Sequence, residues 1–374
     1  MVQAIPPAHD AIGEYTAFLA AELGKSVHVR ILTTRDRPLE PLGGVEIDAC
    51  FSLHGKRRFD GLQRALATTQ ADAVVLQYNP FAWGRRGWAP DLGHTWLAAR
   101  KANPSVCWST MFHETYTLSP GLRAWAMRQY QKRQFRLLAE HSDVCFFSTG
   151  TWADEFARSD PSAKAIHLPV GANLREPAVS RQAMRSRWGI SREDFVVGVF
   201  GGGHQSRMLN RIEHAVDAIS NYVTPRRVVF LHVGGNAIAW SMKRCKVIAT
   251  GRLPDVDAAG AISTMDLMIN PFTDGVSTRR GSVIAALQNS VPVLTTFGAV
   301  SEPLWREVED SFVFLAPPRD ENLWSEATLR AVRAIELDAA EMRPAAREFY
   351  RHNFSWASVA SSLLNHCSLL KSKC

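Results

Sequence analysis

The sequence predicts an α/β protein made of two doubly wound, parallel-sheet units. Three observations carry that prediction. Apolar strand-like runs alternate with helical patterns through both halves of the chain. Its 374 residues suffice for two domains, at roughly 150 residues each. A Pro/Gly/Asn-rich connector, Leu168-Pro-Val-Gly-Ala-Asn-Leu-Arg-Glu-Pro177, interrupts the alternation near its middle.

In the first half, a short initial strand runs through Pro6-Pro7 into a helix over 13–23. Buried strands follow at 27–32, 73–77, 105–111 and 144–148, with a helix at 61–69. The boundary is expected within 172–191, giving one domain over 1–175 and a second over 176–374. In the second half, strands are expected at 195–200, 228–233, 246–250, 267–269, 291–295 and 312–315, with helices at 207–219 and 282–288. The segment 345–370 reads as one or two helices around Phe354-Ser-Trp356, and it could pack back on the first domain.

Hydrophobic content of 46% and charged content of 21% describe an ordinary globular chain. No apolar run approaches the roughly 18 residues of a membrane helix. The start lacks the basic flank and apolar core of a signal peptide. Six cysteines (Cys50, Cys107, Cys145, Cys245, Cys367 and Cys374) form no C-x-x-C pair, so buried thiols in a reducing cytoplasm are expected and a zinc site is not. The net charge of +7 suits an acidic partner. The basic clusters are short and scattered and match no nucleic-acid module, so no nucleic-acid partner is expected.

Loops that follow strands should hold the chemistry of such sheets. The most informative is Asp274-Gly-Val-Ser-Thr-Arg-Arg-Gly-Ser282, which opens directly onto a helix. Unpaired N–H groups at that helix N-terminus, beside Arg279 and Arg280, would make an anion site with polyphosphate as the obvious ligand. An ordinary loop with solvated arginines is the other reading. In the loop over 200–207, Gly201, Gly202 and Gly203 permit close backbone approach, His204 follows, and Arg207 or Arg211 could meet phosphate. It is neither Gly-x-Gly-x-x-Gly nor a P-loop. In the first half, Gly13 and Glu14 stand near a helix start with Asp10 as a candidate N-cap. His113 and Glu114 leave an apolar strand and could donate hydrogen bonds or move protons. Asp255-Val-Asp257 matches a metal–nucleotide pattern, but its setting reads as a helix's first turn, and no metal site is expected. The basic and aromatic stretch 122–138 reads as a helix with a solvated face and inward aromatics; peripheral contact with anionic lipid, at the inner face of a membrane, is the other reading.

Taken together, these loops resemble the GT-B glycosyltransferases of the retaining family-four type. The likeness covers nearly the whole chain. It rests on Pro6-Pro7 with Ile12-Gly-Glu-Tyr-Thr16, the segments 77–87 and Met111-Phe-His-Glu-Thr-Tyr116, and the interdomain turn Leu168-Pro-Val-Gly-Ala-Asn173. Gly251-Arg-Leu-Pro-Asp255, Met265-Asp-Leu-Met-Ile-Asn-Pro271 and the segment 285–296 then follow the donor-domain order. The family's Glu-x7-Glu pattern falls on Ser277 and Ala285, so neither carboxylate is present. Asp274, Ser277 and the Arg279–Arg280 pair are the groups available in their place, and Arg207 and Arg211 are nearest to the family's diphosphate clamp.

The resemblance implies two Rossmann-like domains facing across a cleft, and metal-independent sugar transfer from a nucleotide-diphosphate sugar with retention. The acceptor would be a glycan, lipid or small metabolite, and no cofactor is needed. It sets the diphosphate toward Gly281 and Ser282, within a donor site including Asp274, Gly275, Ser277, Thr278, Arg279 and Arg280. His113, with Glu114, Gly13 and Glu14, would lie nearest the reacting sugar. A non-catalytic or partner-dependent protein of this fold, and a nucleotide-sugar epimerase, are the competing readings.

Overall fold

The computed structural model describes residues 1–117, 119, 121–203, 205–235 and 238–368. His204, the expected helical residues Leu369 and Leu370, and Cys374 lie outside the described residues. The chain divides into two compact units, one of Met1–Val170 together with the segment from Trp356 onward, the other of Gly171–Ser355.

In the first unit the strands are β1 (Arg30–Thr34), β2 (Glu46–Phe51), β3 (Ala73–Tyr78), β4 (Cys107–Phe112), β5 (Val144–Phe147) and β6 (Ala165–His167). β1 pairs with β2, and β3-β4-β5-β6 form a second ladder, all parallel. The opening residues connect the two. Val2 N–H donates to Leu32 O at 3.1 Å and Gln77 N–H to Met1 O at 2.9 Å, so the expected first strand lies between β1 and β3 without forming a regular ladder. β2 and β6 were not anticipated. β2 is a half-exposed edge strand carrying Glu46 and Asp48, and β6 has three half-buried residues, so neither shows a continuous apolar run.

Two apolar layers cover this sheet. Phe51, Trp83, Trp96, Trp108, Phe112 and Phe147 fill one. On the other, helix Ala11–Leu23 and the C-terminal helix Trp356–Ser368 bury Tyr15, Leu19, Val359 and Leu363 against Met111 and Phe146. The C-terminal helix begins where helix Glu321–Asn353 stops, after Phe354-Ser355.

The second unit has one six-stranded parallel sheet of β7 (Phe195–Phe200), β8 (Val228–Val233), β9 (Lys246–Ala249), β10 (Leu267–Asn270), β11 (Val293–Thr296) and β12 (Val313–Ala316), in the order β12-β11-β10-β7-β8-β9. β8 and β10 to β12 are buried along their whole length, which explains why their sequences read as unbroken apolar runs. Strand order reverses between β7 and β10. The loops after these two strands therefore flank the crevice where doubly wound sheets take ligands.

Candidate functional site

After β10 the chain is clamped onto the strand beside it. Thr295 Oγ1 donates to Asn270 O at 2.6 Å; Thr296 Oγ1 donates to Phe272 O at 2.6 Å and accepts from Phe272 N at 2.8 Å. Gly275 then turns the backbone at φ +97°, where a side chain would be strained. A Cβ there would lie 2.3 Å from Gly298 N and 2.4 Å from Ser301 Oγ. Val276 N–H reaches Thr296 O at 2.7 Å and Val300 N–H reaches Asp274 O at 3.1 Å, so two loops are fused into one support.

Glu302 holds the next residues from beneath. Its carboxylate is buried and accepts from Thr278 N–H at 3.1 Å, Thr278 Oγ1 at 2.8 Å and Trp305 Nε1 at 3.0 Å. Ser277 beside it is fully buried, with its hydroxyl unpartnered. Asn270, at the end of β10, is also fully buried with both amide atoms unpartnered. After the buried run Gly275 to Thr278 the chain is half-buried again at Arg279 to Ser282, where helix Gly281–Gln288 begins with no side-chain cap. Gly281 N–H turns back to Arg279 O at 3.0 Å and Val283 N–H to Arg280 O at 2.9 Å, so the helix start offers its dipole and Ser282 N–H, with two arginines beside them.

Arg280 and Arg207 form the electropositive centre. Arg280 donates to Ser206 Oγ at 3.1 Å, pairs with Asp274, and stacks 4.2 Å above the Phe272 ring. Arg207 holds the carbonyls of Phe200, Gly201 and Gly202 at 2.8, 3.2 and 3.0 Å, which fixes the glycine loop after β7. Burial lowers both guanidinium groups to about 10; for Arg207 the nearby Arg280 charge adds to the effect. Both remain cationic at neutral pH, and each keeps an unpartnered Nε. Asp274 pairs with Arg280 and the buried Glu302 carboxylate also acts on it, so positive charge exceeds negative only with Arg279 counted, three arginines against two carboxylates.

Arg211 stands differently from Arg207. It is buried, its backbone carbonyl accepts from Trp324 Nε1 at 3.0 Å, and its side chain lies 3.8 Å from Glu321. Gly202 and Gly203 lie in the loop that Arg207 anchors. Asp255 and Asp257 do form the first turn of helix Asp255–Ser263, each paired with an arginine: Arg175 at 2.7 Å and Arg187 at 2.8 Å. Among the described residues no three His, Cys, Asp or Glu side chains converge on a metal position.

In the first unit, the loop after β4 meets the start of helix Ala11–Leu23. His113 Nε2 lies 2.8 Å from Gln77 Oε1, and Tyr15 packs edge-on to the imidazole at 4.8 Å. Burial pushes the ring down to about 3, so it is neutral at physiological pH. With the Gln77 carbonyl oxygen facing Nε2, the proton sits there and Nδ1 keeps its lone pair. Glu114 accepts from Asn79 Nδ2 at 3.1 Å. The close approach at Gly13 is to the chain's own backbone, since a Cβ would stand 2.6 Å from Ala4 O. Asp10 caps this helix through Gly13 N–H at 2.7 Å and also takes Gln3 Nε2 at 2.8 Å, with Glu14 half-buried in the same turn.

Sequence reasoning did not find Glu302, Ser206 or Phe272 as parts of the arginine site. Glu302 is 24 residues from Thr278 in the chain, and no periodicity links them.

Two parallel-sheet units of this kind define the GT-B fold of glycosyltransferases, the class expected from the sequence. Solved structures with this fold match nearly the entire chain. A sucrose-phosphate synthase from Thermosynechococcus elongatus superposes with a TM-score of 0.68 at 14% identity, covering 100% of this chain and 96% of its own. A glycosyltransferase from Rickettsia africae gives 0.69 at 13% identity, covering 99% and 98%. HepE from Anabaena, solved in complex with UDP-glucose, gives 0.64 at 14% identity, covering 99% and 98%. At these identities the likeness is one of fold. No protein-family model matches the chain, and no curated protein matches its sequence.

Proposed function

We propose that the chain transfers a sugar from a nucleotide-diphosphate sugar to an acceptor, with retention of anomeric configuration and without a metal ion. The observation that carries this reading is the arginine pair of buried Arg207 and nearly buried Arg280, beside an uncapped helix N-terminus at the sheet's switch point. HepE, of the same fold, is described with UDP-glucose, which supports a nucleotide sugar as the ligand class here.

The chemistry follows from where charge develops. Cleavage of the anomeric bond passes through an oxocarbenium-like state while negative charge grows on the departing diphosphate. Cations and N–H groups already oriented toward that charge stabilise the transition state more than the ground state. Arg280 is held by Ser206, Asp274 and Phe272, so little reorganisation is needed. Retention would follow from same-face attack, the departing phosphate oxygen taking the acceptor's proton. His113 enters as a neutral hydrogen-bonding group on the acceptor side. The five described cysteines are all free, which suits a reducing compartment.

A thermal-shift screen against UDP, GDP, ADP, TDP and their sugars, with and without EDTA, tests this. The expected result is a selective, EDTA-insensitive rise that Arg279→Ala/Arg280→Ala abolishes. Positions 277 and 285 favour a second reading, a non-catalytic GT-B protein, because buried Ser277 and Ala285 stand where the family has glutamates. That reading predicts no acceptor-dependent sugar release even where nucleotide binds.

A further inference from the structure

On the first unit, exposed apolar and cationic side chains share a surface whose helix stripe reaches a carboxylate only at its far end, Glu140. Phe81 is 47% exposed, Trp88 53%, Trp125 59% and Leu122 87%. They come from two segments that touch. Trp88 packs edge-on to Tyr130 at 5.1 Å, and Arg86 O accepts from Tyr130 OH at 2.6 Å and from Gln131 Nε2 at 3.2 Å. Along helix Leu122–Glu140, the exposed residues Leu122, Trp125, Ala126, Gln129, Arg133 and Arg136 stand three or four positions apart on one stripe. Its first turns are apolar and its later ones cationic. Arg123 is exposed within the apolar end, and Arg85 and Arg86 are exposed in the segment that meets Tyr130 and Gln131. Residues 81–88 and 121–136 together hold seven Lys and Arg and no Asp or Glu. The helix therefore departs from the expected inward packing of its aromatics: Phe135 is buried, but Trp125 is not.

We propose that this face docks on an anionic lipid bilayer. Phe81, Trp88, Leu122 and Trp125 would enter the headgroup–acyl boundary, and Arg85, Arg86, Arg123, Arg133 and Arg136 would meet lipid phosphates. Charge complementarity selects this occupant. A second copy of the same face would set its arginines against one another, at a repulsive cost. An apolar protein groove would leave them unpaired. A bilayer surface supplies an apolar layer and a layer of phosphates at the spacing an interfacial helix uses, and tryptophan favours that boundary. This inference stands apart from the sugar-transfer reading, because none of these residues belongs to the arginine site or contacts His113.

The test is co-sedimentation of the full chain with phosphatidylcholine vesicles, with and without phosphatidylglycerol. Trp125 emission is followed in parallel, against a Trp125→Phe control. Binding should require phosphatidylglycerol, weaken as salt rises, and shift the emission to the blue. Leu122→Ala/Trp125→Ala should lower partitioning by about tenfold or more, and Arg85→Ala/Arg86→Ala/Arg123→Ala by about fivefold per charge. Thermal unfolding of each variant should match the parent, since all the altered side chains are exposed. Failure to bind anionic vesicles, equal binding to neutral ones, or parent-like binding by both variants would overturn the proposal. So would concentration-dependent self-association that Leu122→Ala/Trp125→Ala abolishes, which would give the face to a second copy.

Discussion

At the scale of single residues, Arg280 and His113 show opposite uses of burial. Arg280 keeps its charge because Asp274, Ser206 and the Phe272 ring replace water around it. Arg280→Ala should weaken binding of the cognate nucleotide diphosphate by about 1.5–3 kcal/mol, the range for charge-assisted hydrogen bonds, read by calorimetric titration. Arg280→Lys keeps the charge but loses the stacked, planar geometry, and should recover only part of the affinity. His113 loses its charge instead. Its folded value of about 3 lies below the ordinary 6.5, so the unfolded chain binds the extra proton. The stability this ring contributes is present above about pH 6.5 and is lost as pH falls toward 3. Melting temperature should therefore fall less steeply with acidification in His113→Gln than in the parent. Parallel curves would mean that His113 is not the source, and His167, also lowered by burial, would be the next to test.

At the scale of elements, the loop after β10 has its shape imposed by the loop after β11. Gly275→Ala places a side chain at positive φ and within 2.3 Å of Gly298 N. It should cost about 1–3 kcal/mol of stability from backbone strain alone, and nucleotide affinity should drop with it. Glu302→Gln tests the same support from the other side. An amide cannot accept at both oxygens, so Thr278 or Trp305 is left short of a partner. A loss of about 1–3 kcal/mol is expected for the orphaned buried donor, measured by urea denaturation. A variant with unchanged stability and unchanged nucleotide binding would show that Glu302 does not hold the loop.

At the scale of the whole molecule, the first unit is discontinuous in sequence. Helix Trp356–Ser368 buries Trp356, Val359 and Leu363 against Tyr15, Leu19, Met111 and Phe146. Each large apolar side chain so buried is worth about 1.5–3 kcal/mol. A fragment ending at Val170 should therefore lack cooperative unfolding and aggregate, while a peptide spanning 356–374, added in trans, should restore a thermal transition. The fragment 171–355 carries its own six-stranded sheet and should melt cooperatively without either piece. Differential scanning calorimetry of the three samples decides it.

The α/β class and nearly all of the buried strands were legible in the amino-acid pattern, because a strand covered on both faces must be apolar throughout, and β8, β10, β11 and β12 are. The sequence also marked the two loops at the switch point, since glycines and arginines between a strand and a helix form a local pattern. It missed β2 and β6, whose mixed polarity reflects their edge positions. Which groups act together emerged from the folded arrangement alone. Glu302 under Thr278, Ser206 against Arg280 and Gln77 against His113 are contacts between residues 24, 74 and 36 positions apart. Local propensity and periodicity carry no information about such pairs; parallel strand order creates them by bringing the ends of sequence-distant strands to one edge of the sheet.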